Sequence, residues 1–283
     1  MSLRIGAFRI HLSSLLIWLI GAAITILWAM PLVWMVSTSF KPEGQVMTYP
    51  VEWFPRVITF DNYRIVFGYP VWRWAWNSLL VATAVTLLVV ISSAMAGYAL
   101  ARMTFFGRGL LFGLLLSVRM VPAAVALIPL YLLIARLRIL DTYPALIMPA
   151  VGGVLGVYLF RQFFFSLPRE LEDAALIDGC NRFGIFFYIA LPLAMPAILT
   201  VSLITFVNTW NEFLWPLLVT STDGAMTLPI GVTKFNPRTG GLTRMTYGVA
   251  MAAVTFQSLP TLILFLFLQR YFVQSVTRTG LKG

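Results

Sequence analysis

Polar chemistry is scarce in this chain. It holds one histidine, His11, and one cysteine, Cys180. A lone cysteine excludes an intrachain disulfide. A zinc site takes about three protein ligands or more, which one histidine and one cysteine do not supply, so no metal is expected. Lysine occurs only as Lys41, Lys234 and Lys282, none of them in a GxxxxGK[ST] loop, which excludes a phosphate-binding loop of that type. No convincing Ser/His pair and no paired carboxylates stand within the apolar runs, so catalytic residues are not expected and an intramembrane enzyme is disfavoured. Charge is thin as well, at 11% of residues, where soluble domains carry about a quarter. The net charge of +10 is carried mostly between apolar runs, the pattern of membrane-flanking residues rather than of a nucleic-acid patch.

What the chain has in abundance is apolar length. Sixty per cent of its residues are hydrophobic and its mean hydropathy is +0.88. That excess does not fit inside one soluble core, so most of it must face lipid. A spanning helix needs about 20 mostly apolar residues. Six stretches qualify, about 12–36, 77–101, 109–135, 140–160, 194–219 and 246–269. The expected fold is an all-α membrane protein with six transmembrane helices in a single transmembrane domain over 1–283. Arg4 and Arg9 precede the first run, as in a signal peptide. The run continues to Val36, longer than a signal core, which favours an uncleaved helix.

Basic residues divide almost evenly between the two sides. The long loops 37–76 and 220–245 hold most of those on one side, where distance from helix ends weakens their effect. This favours a multi-pass protein with both termini cytoplasmic. Trp72, Trp74 and Trp76 are expected to form an interfacial aromatic belt before the second span. Pro31, Pro122, Pro129, Pro149, Pro216 and Pro260 fall within the runs. Each removes a backbone donor, consistent with kinked helices around a cavity, though prolines are common in membrane helices in any case.

The connection at 166–192 is the most informative segment. Pro168 suits the start of a helix, Glu170, Glu172 and Asp173 then fall in its first turn, and Gly179 ends it. Ala174 and Ala175 would give a small-residue surface that admits another protein's backbone. A second short apolar helix is expected to run to Ala190. An ordinary solvated loop is the alternative on these residues alone.

Asp173-Ala174-Ala175, three residues, Gly179, nine residues and Ile189-Ala190-Leu191-Pro192 resemble the EAA loop of ABC importer permeases. The usual pattern, E-A-A-x3-G-x9-I-x-L-P, carries Glu where Asp173 stands, so the charge is kept. Thr59-Phe60-Asp61-Asn62-Tyr63, Trp210-Asn211-Glu212-Phe213 and Gln269-Arg270-Tyr271-Phe272-Val273 are similar to segments of the carbohydrate class, which imports maltose, glycerol 3-phosphate and oligosaccharides. The resemblance covers about 55–283 and implies a subunit with no cofactor of its own. It implies a second permease as partner, two ATP-binding-cassette ATPases that bind the ATP, an extracytoplasmic solute-binding protein and surrounding lipid in the cell inner membrane. By this likeness Asp173, Ala174, Ala175, Asp178 and Gly179 couple the chain to an ATPase, and 280–283 also reaches towards the ATPases.

Two ionisable residues fall well inside the runs, Arg119 and Glu212. A charge at that depth is costly and normally faces a cavity or a partner. Glu212 either pairs with Arg119, lines a solute path with Asn208, Trp210 and Asn211, or packs against the second permease. Arg119 fits either an anionic solute or a structural ion pair. A gradient-driven transporter would need ionisable relays or matched broken helices in two halves, and no internal repeat is evident.

Overall fold

The computed structural model describes residues 2–5, 8–238 and 245–279, with side chains placed over 15–238 and 245–267. A short antiparallel hairpin opens it, β1 (Ser2–Ile5) paired with β2 (Phe8–His11). That short terminal pairing leaves the all-α class in place. Every other described regular element is helical. In order these are α1 (Leu12–Ser39), α2 (Asp61–Phe67), α3 (Val71–Arg102), α4 (Arg108–Val118), α5 (Ala123–Arg136), α6 (Tyr143–Ile147) and α7 (Val154–Ser166). Then come α8 (Glu170–Ile177), α9 (Arg182–Ile185), α10 (Leu191–Leu193), α11 (Met195–Trp210), α12 (Leu214–Val219), α13 (Leu228–Thr233) and α14 (Tyr247–Thr279).

Three helices are long and apolar enough to cross a membrane: Leu15–Ser39, Val71–Arg102 and Tyr247–Phe267. There are up to six if each bent pair counts as one span. The run expected as a continuous helix over 109–135 is broken between α4 and α5, which meet at 94°. Pro122 sits at the N-cap of α5, where it cannot donate to a continuing helix. The run at 140–160 bends by 42° at Gly152-Gly153, after a 3-10 turn over Met148–Val151 that contains Pro149. The run at 194–219 is divided by Asn211–Phe213 into α11 and α12. Hydropathy registers apolar length but not direction, so these breaks are invisible to it.

The chain forms two compact units. The first comprises Met1–Tyr69 and Val232–Ser258. Here the Thr59–Tyr63 segment acquires a structural role. Thr59 Oγ1 accepts from the Asp61 N–H at 3.1 Å, at the start of α2. Asn62 is buried, and its Nδ2 donates to the carbonyls of Ser39 and Lys41, each at 2.9 Å. Lys41 is fully buried, donates to the Glu52 carbonyl and lies 4.2 Å from the Trp34 ring centroid. Burial pushes its pKa below the usual lysine value, only partly offset by the Glu52 charge.

The second unit comprises Pro70–Gly231 and Leu259–Gly283. Its centre is α3, whose buried residues Val81, Val85, Val89, Ser93 and Gly97 recur every fourth position along one ridge. This ridge meets α7 at very close range. Ser93 Oγ donates to the Gly153 carbonyl at 3.1 Å, and a Cβ on Gly156 would lie 2.6 Å from that same hydroxyl oxygen. Small residues let two helices approach without a hydrophobic driving force between them.

At the Val71 end of α3 a polar network fastens the loop before α13. Trp74 Nε1 donates to Asp223 at 3.1 Å, and Asn77 Nδ2 donates to the carbonyls of Gly224 and Met226 at 3.0 and 2.8 Å. Trp74 is wholly buried, whereas Trp72 and Trp76 are exposed. Trp74 therefore does not belong to the expected belt. The helix starts at Val71, before the tryptophans, so positions 72 and 76 share a face and 74 does not.

Asp141 ties a neighbouring loop down. Its carboxylate accepts from the backbone N–H groups of Ser221 and Thr222 at 2.9 and 3.1 Å and from the Thr222 hydroxyl at 2.6 Å. Burial alone would push its pKa up, but these hydrogen bonds outweigh it and hold the carboxyl below the usual aspartate value. A depressed folded-state pKa gives stability that is present above the unfolded pKa, about 3.9, and is lost as pH falls through the lower folded value. Asp141→Asn keeps the shape but loses an acceptor for the Thr222 hydroxyl. It is expected to lower stability at pH 7 by about 1.5 kcal/mol, the low end for hydrogen bonds to a charged group. Thermal unfolding in detergent should show the gap from wild type closing below about pH 4. A gap that does not narrow at all as the pH falls below 4 would mean that the carboxylate charge is irrelevant.

Candidate functional site

The segment at 166–192 folds as its sequence dictates. Arg169 stands at the N-cap of α8, and Glu170, Glu172 and Asp173 occupy its first turn, where the helix dipole favours acids. Gly179 has φ of +84°, the left-handed conformation that glycine adopts without a Cβ penalty, and it ends the helix. Asn181 then caps the next turn, its side-chain oxygen accepting from the Gly184 N–H at 2.8 Å. A π-turn over Phe186–Ala190 follows α9.

What fixes α8 to the rest of the unit is a buried ion pair. Glu172 Oε1 lies 3.3 Å from Arg102 Nε, with side-chain exposures of 11% and 5%. The contact is ionic, since its geometry falls short of a hydrogen bond. Arg102 also donates from Nη2 to the Leu167 carbonyl at 2.5 Å, and Arg182 approaches Glu172 Oε2 at 3.9 Å. Neither Glu172, expected only as an acid of the first turn, nor Arg102 stands among the coupling residues named from the sequence. The available signal was a third acid beside Asp173 and a basic residue ending the second span, but nothing local joins the two.

Of the coupling residues named from the sequence, Asp173, Ala174, Asp178 and Gly179 are exposed. Ala175 is 5% exposed and packs into the hydrophobic core with Ile185 and Phe164. Its small side chain therefore serves packing within this chain. Residues 280–283, also expected to reach the ATPases, lie outside the described residues.

The residues expected along a solute path separate. Asn208 and Glu212 line a cavity of 380 Å³, together with Ser78, Trp215 and Thr227. Arg119 lines a second cavity of 310 Å³, and Asn208 borders that one too. Trp210 is 2% exposed and stacks on Phe206, with ring centroids 6.1 Å apart. Asn211 is exposed and donates to the Val207 carbonyl at 2.8 Å. Glu212 Oε1 accepts from the N–H groups of Leu214 and Trp215 at 3.1 and 3.3 Å, capping α12. Among the described residues, no ion pair joins Arg119 to Glu212.

A bent apolar helical bundle with an acid-rich, internally anchored connecting helix is matched by one family model. Residues 89–278 fit the family described as binding-protein-dependent transport system inner membrane component. The chain belongs to this family. It is 36% identical to the arabinooligosaccharides transport system permease protein AraQ of Halalkalibacterium halodurans, over 96% of this chain and 98% of the other. It is also 36% identical to the sulfoquinovosyl glycerol transport system permease protein SmoH of Agrobacterium fabrum, over 89% and 88%. The fold matches a chain in the crystal structure of a bacterial ABC transporter involved in the import of the acidic polysaccharide alginate. That match has a TM-score of 0.81 at 21% identity and covers 94% of this chain and 100% of that one. This permease is accordingly a membrane-embedded transport subunit of an ABC importer, without an ATPase site of its own.

Proposed function

We propose that this permease forms one half of a carbohydrate translocation pathway and is driven through α8 by ATPases on other chains. The observation that carries the reading is the fastening of α8, through Glu172 and Arg102, to the end of a 32-residue apolar helix. A partner that moves α8 must move that helix with it. Asp173, Ala174, Asp178 and Gly179 offer charge and close backbone approach on the exposed side, while Ala175 seats the helix from within. In this reading the three long helices, the pair α4 and α5, the pair α6 and α7, and the run from α11 to α12 make six spans. The loop 166–192 and both termini lie in the cytoplasm.

Two ATPase subunits bind the ATP, a second permease completes the pathway and a solute-binding protein delivers the cargo. A carbohydrate cargo is supported by the relatives named for arabinooligosaccharides and sulfoquinovosyl glycerol. Asn208 and Glu212 supply hydrogen-bonding groups of the kind a sugar needs, Arg119 adds a charge, and Trp210 and Asn211 complete the same stretch of α11 and its end.

The test is purification of this chain from mild detergent, with mass spectrometry of whatever accompanies it. Recovery of an ATPase and a second permease bearing an EAA-type loop is the expected result. Recovery of this chain alone, with uptake that survives ATP depletion, would overturn the proposal.

A further inference from the structure

Two chain breaks converge on one cavity. The α4–α5 break contributes Val118 and Arg119, and the break before α7 contributes Ala150, Gly152 and Gly153. The facing wall is α11, with Thr205, Asn208 and Thr209. Irregular backbone at membrane depth is tolerated only where it is buried in protein or lines a cavity, and discontinuous helices commonly flank solute sites. Arg119 lies eleven residues beyond Arg108, which is about 16 Å along the helix at about 1.5 Å per residue, near the middle of a hydrocarbon layer about 30 Å thick. A guanidinium at that depth faces a cavity or a partner, and Arg119 faces this cavity.

Within the cavity no carboxylate supplies a counter-charge. Glu212 lines the neighbouring cavity and has its Oε1 engaged by the N–H groups of Leu214 and Trp215. The wall therefore presents one permanent cation, neutral amide and hydroxyl groups, and no acid. A Cβ added at Gly152 would meet nothing within 4 Å, so the backbone there faces open space.

We infer that this cavity is a subsite for an anionic saccharide, with the Arg119 guanidinium paired to a carboxylate, sulfonate or phosphate on the sugar. The side chains of Thr205, Asn208 and Thr209 suit its hydroxyls. An oxyanion on the cargo would pair with the Arg119 charge, and planar guanidinium geometry favours such a group over a neutral hydroxyl. The inference rests on the reading of this chain as a saccharide permease.

The experiment reconstitutes the complete importer in proteoliposomes. ATP-driven uptake is measured for labelled oligosaccharides bearing uronate, sulfonate or phosphate groups, and for the neutral parent of each. Wild type is expected to carry an acidic sugar in preference to its neutral parent. Arg119→Gln should reduce acidic uptake at least about tenfold, the loss of roughly one charge-assisted hydrogen bond, and reduce neutral uptake by a far smaller factor. Arg119→Lys should retain most of the acidic uptake, because the charge survives. Equal loss of both cargo types in Arg119→Gln, with the complex still assembled, would assign Arg119 to an ion pair with another subunit and overturn the inference. Uptake of neutral sugars alone by wild type would overturn it too, while leaving the saccharide reading intact. No uptake of any saccharide, and no stimulation of ATP hydrolysis by one, would overturn both.

Discussion

Glu172→Ala is expected to reduce ATP-driven uptake at least about tenfold while the chain still inserts and accumulates in the membrane. The carboxylate is nearly enclosed and faces Arg102, whose side chain is only 5% exposed. Removing one partner of a buried pair leaves an uncompensated charge and costs about 3–5 kcal/mol. That cost falls on the attachment of α8, because the long apolar helices do not depend on it. Under the proposed coupling, an α8 free to shift against Arg102 would still meet an ATPase but would not pass displacement to α3. Uptake in proteoliposomes, normalised to the assembled complex, measures this. The paired replacement Arg102→Met with Glu172→Leu separates charge from attachment. Apolar groups of similar volume often replace a buried pair at no loss, so the double variant should recover much of the uptake. Undiminished transport in Glu172→Ala would mean that packing by Ala175 and Ile185 alone holds the helix.

Gly97→Val should destabilise the second unit more than any exposed substitution. A Cβ at position 97 would stand 2.7 Å from the Phe160 Cβ and 2.9 Å from the Arg161 backbone nitrogen. Those neighbours are not flexible side-chain tips, so the helices α3 and α7 must separate. Overpacking of a core costs about 1–3 kcal/mol, and occasionally more. The upper end is expected here, because Phe160 is fully buried and stacks on Phe164. Gly97→Ala, which adds only the Cβ, should fall near the lower end. Thermal unfolding in detergent ranks the two. Equal, wild-type stability in both would show that the helix pair has slack the geometry denies.

Legibility in the sequence followed locality. The bounds of α8 were readable because each determinant lies within a few residues: Pro168 before it, acids in its first turn, Gly179 after it. The three long helices were readable because about 20 apolar residues leave few alternatives. What joins the elements was not readable. Arg102 and Glu172 are far apart in sequence, and a basic residue ending an apolar run is ordinarily a membrane-flanking charge. Ala175 was expected to form part of a docking surface with Ala174, yet successive helical positions point about 100° apart, so one faces inward and the other outward. Trp74 parted from Trp72 and Trp76 for the same reason, once the helix began before them. The breaks at Val118 and Gly152 carried proline and glycine signals, but hydropathy averaged across them.

Stiffness along α3 follows from what it lacks. α1 contains Pro31 and α14 contains Pro260, while α3 runs 32 residues without a proline, a rod about 48 Å long at about 1.5 Å per residue. One end is anchored to α8 through Arg102, and the other holds the loop before α13 through Trp74 and Asn77. Such a rod behaves as a lever. Under the proposed drive through α8, a tilt imposed at the Arg102 end of this rod would be carried to the Trp74 end and would displace the loop held there.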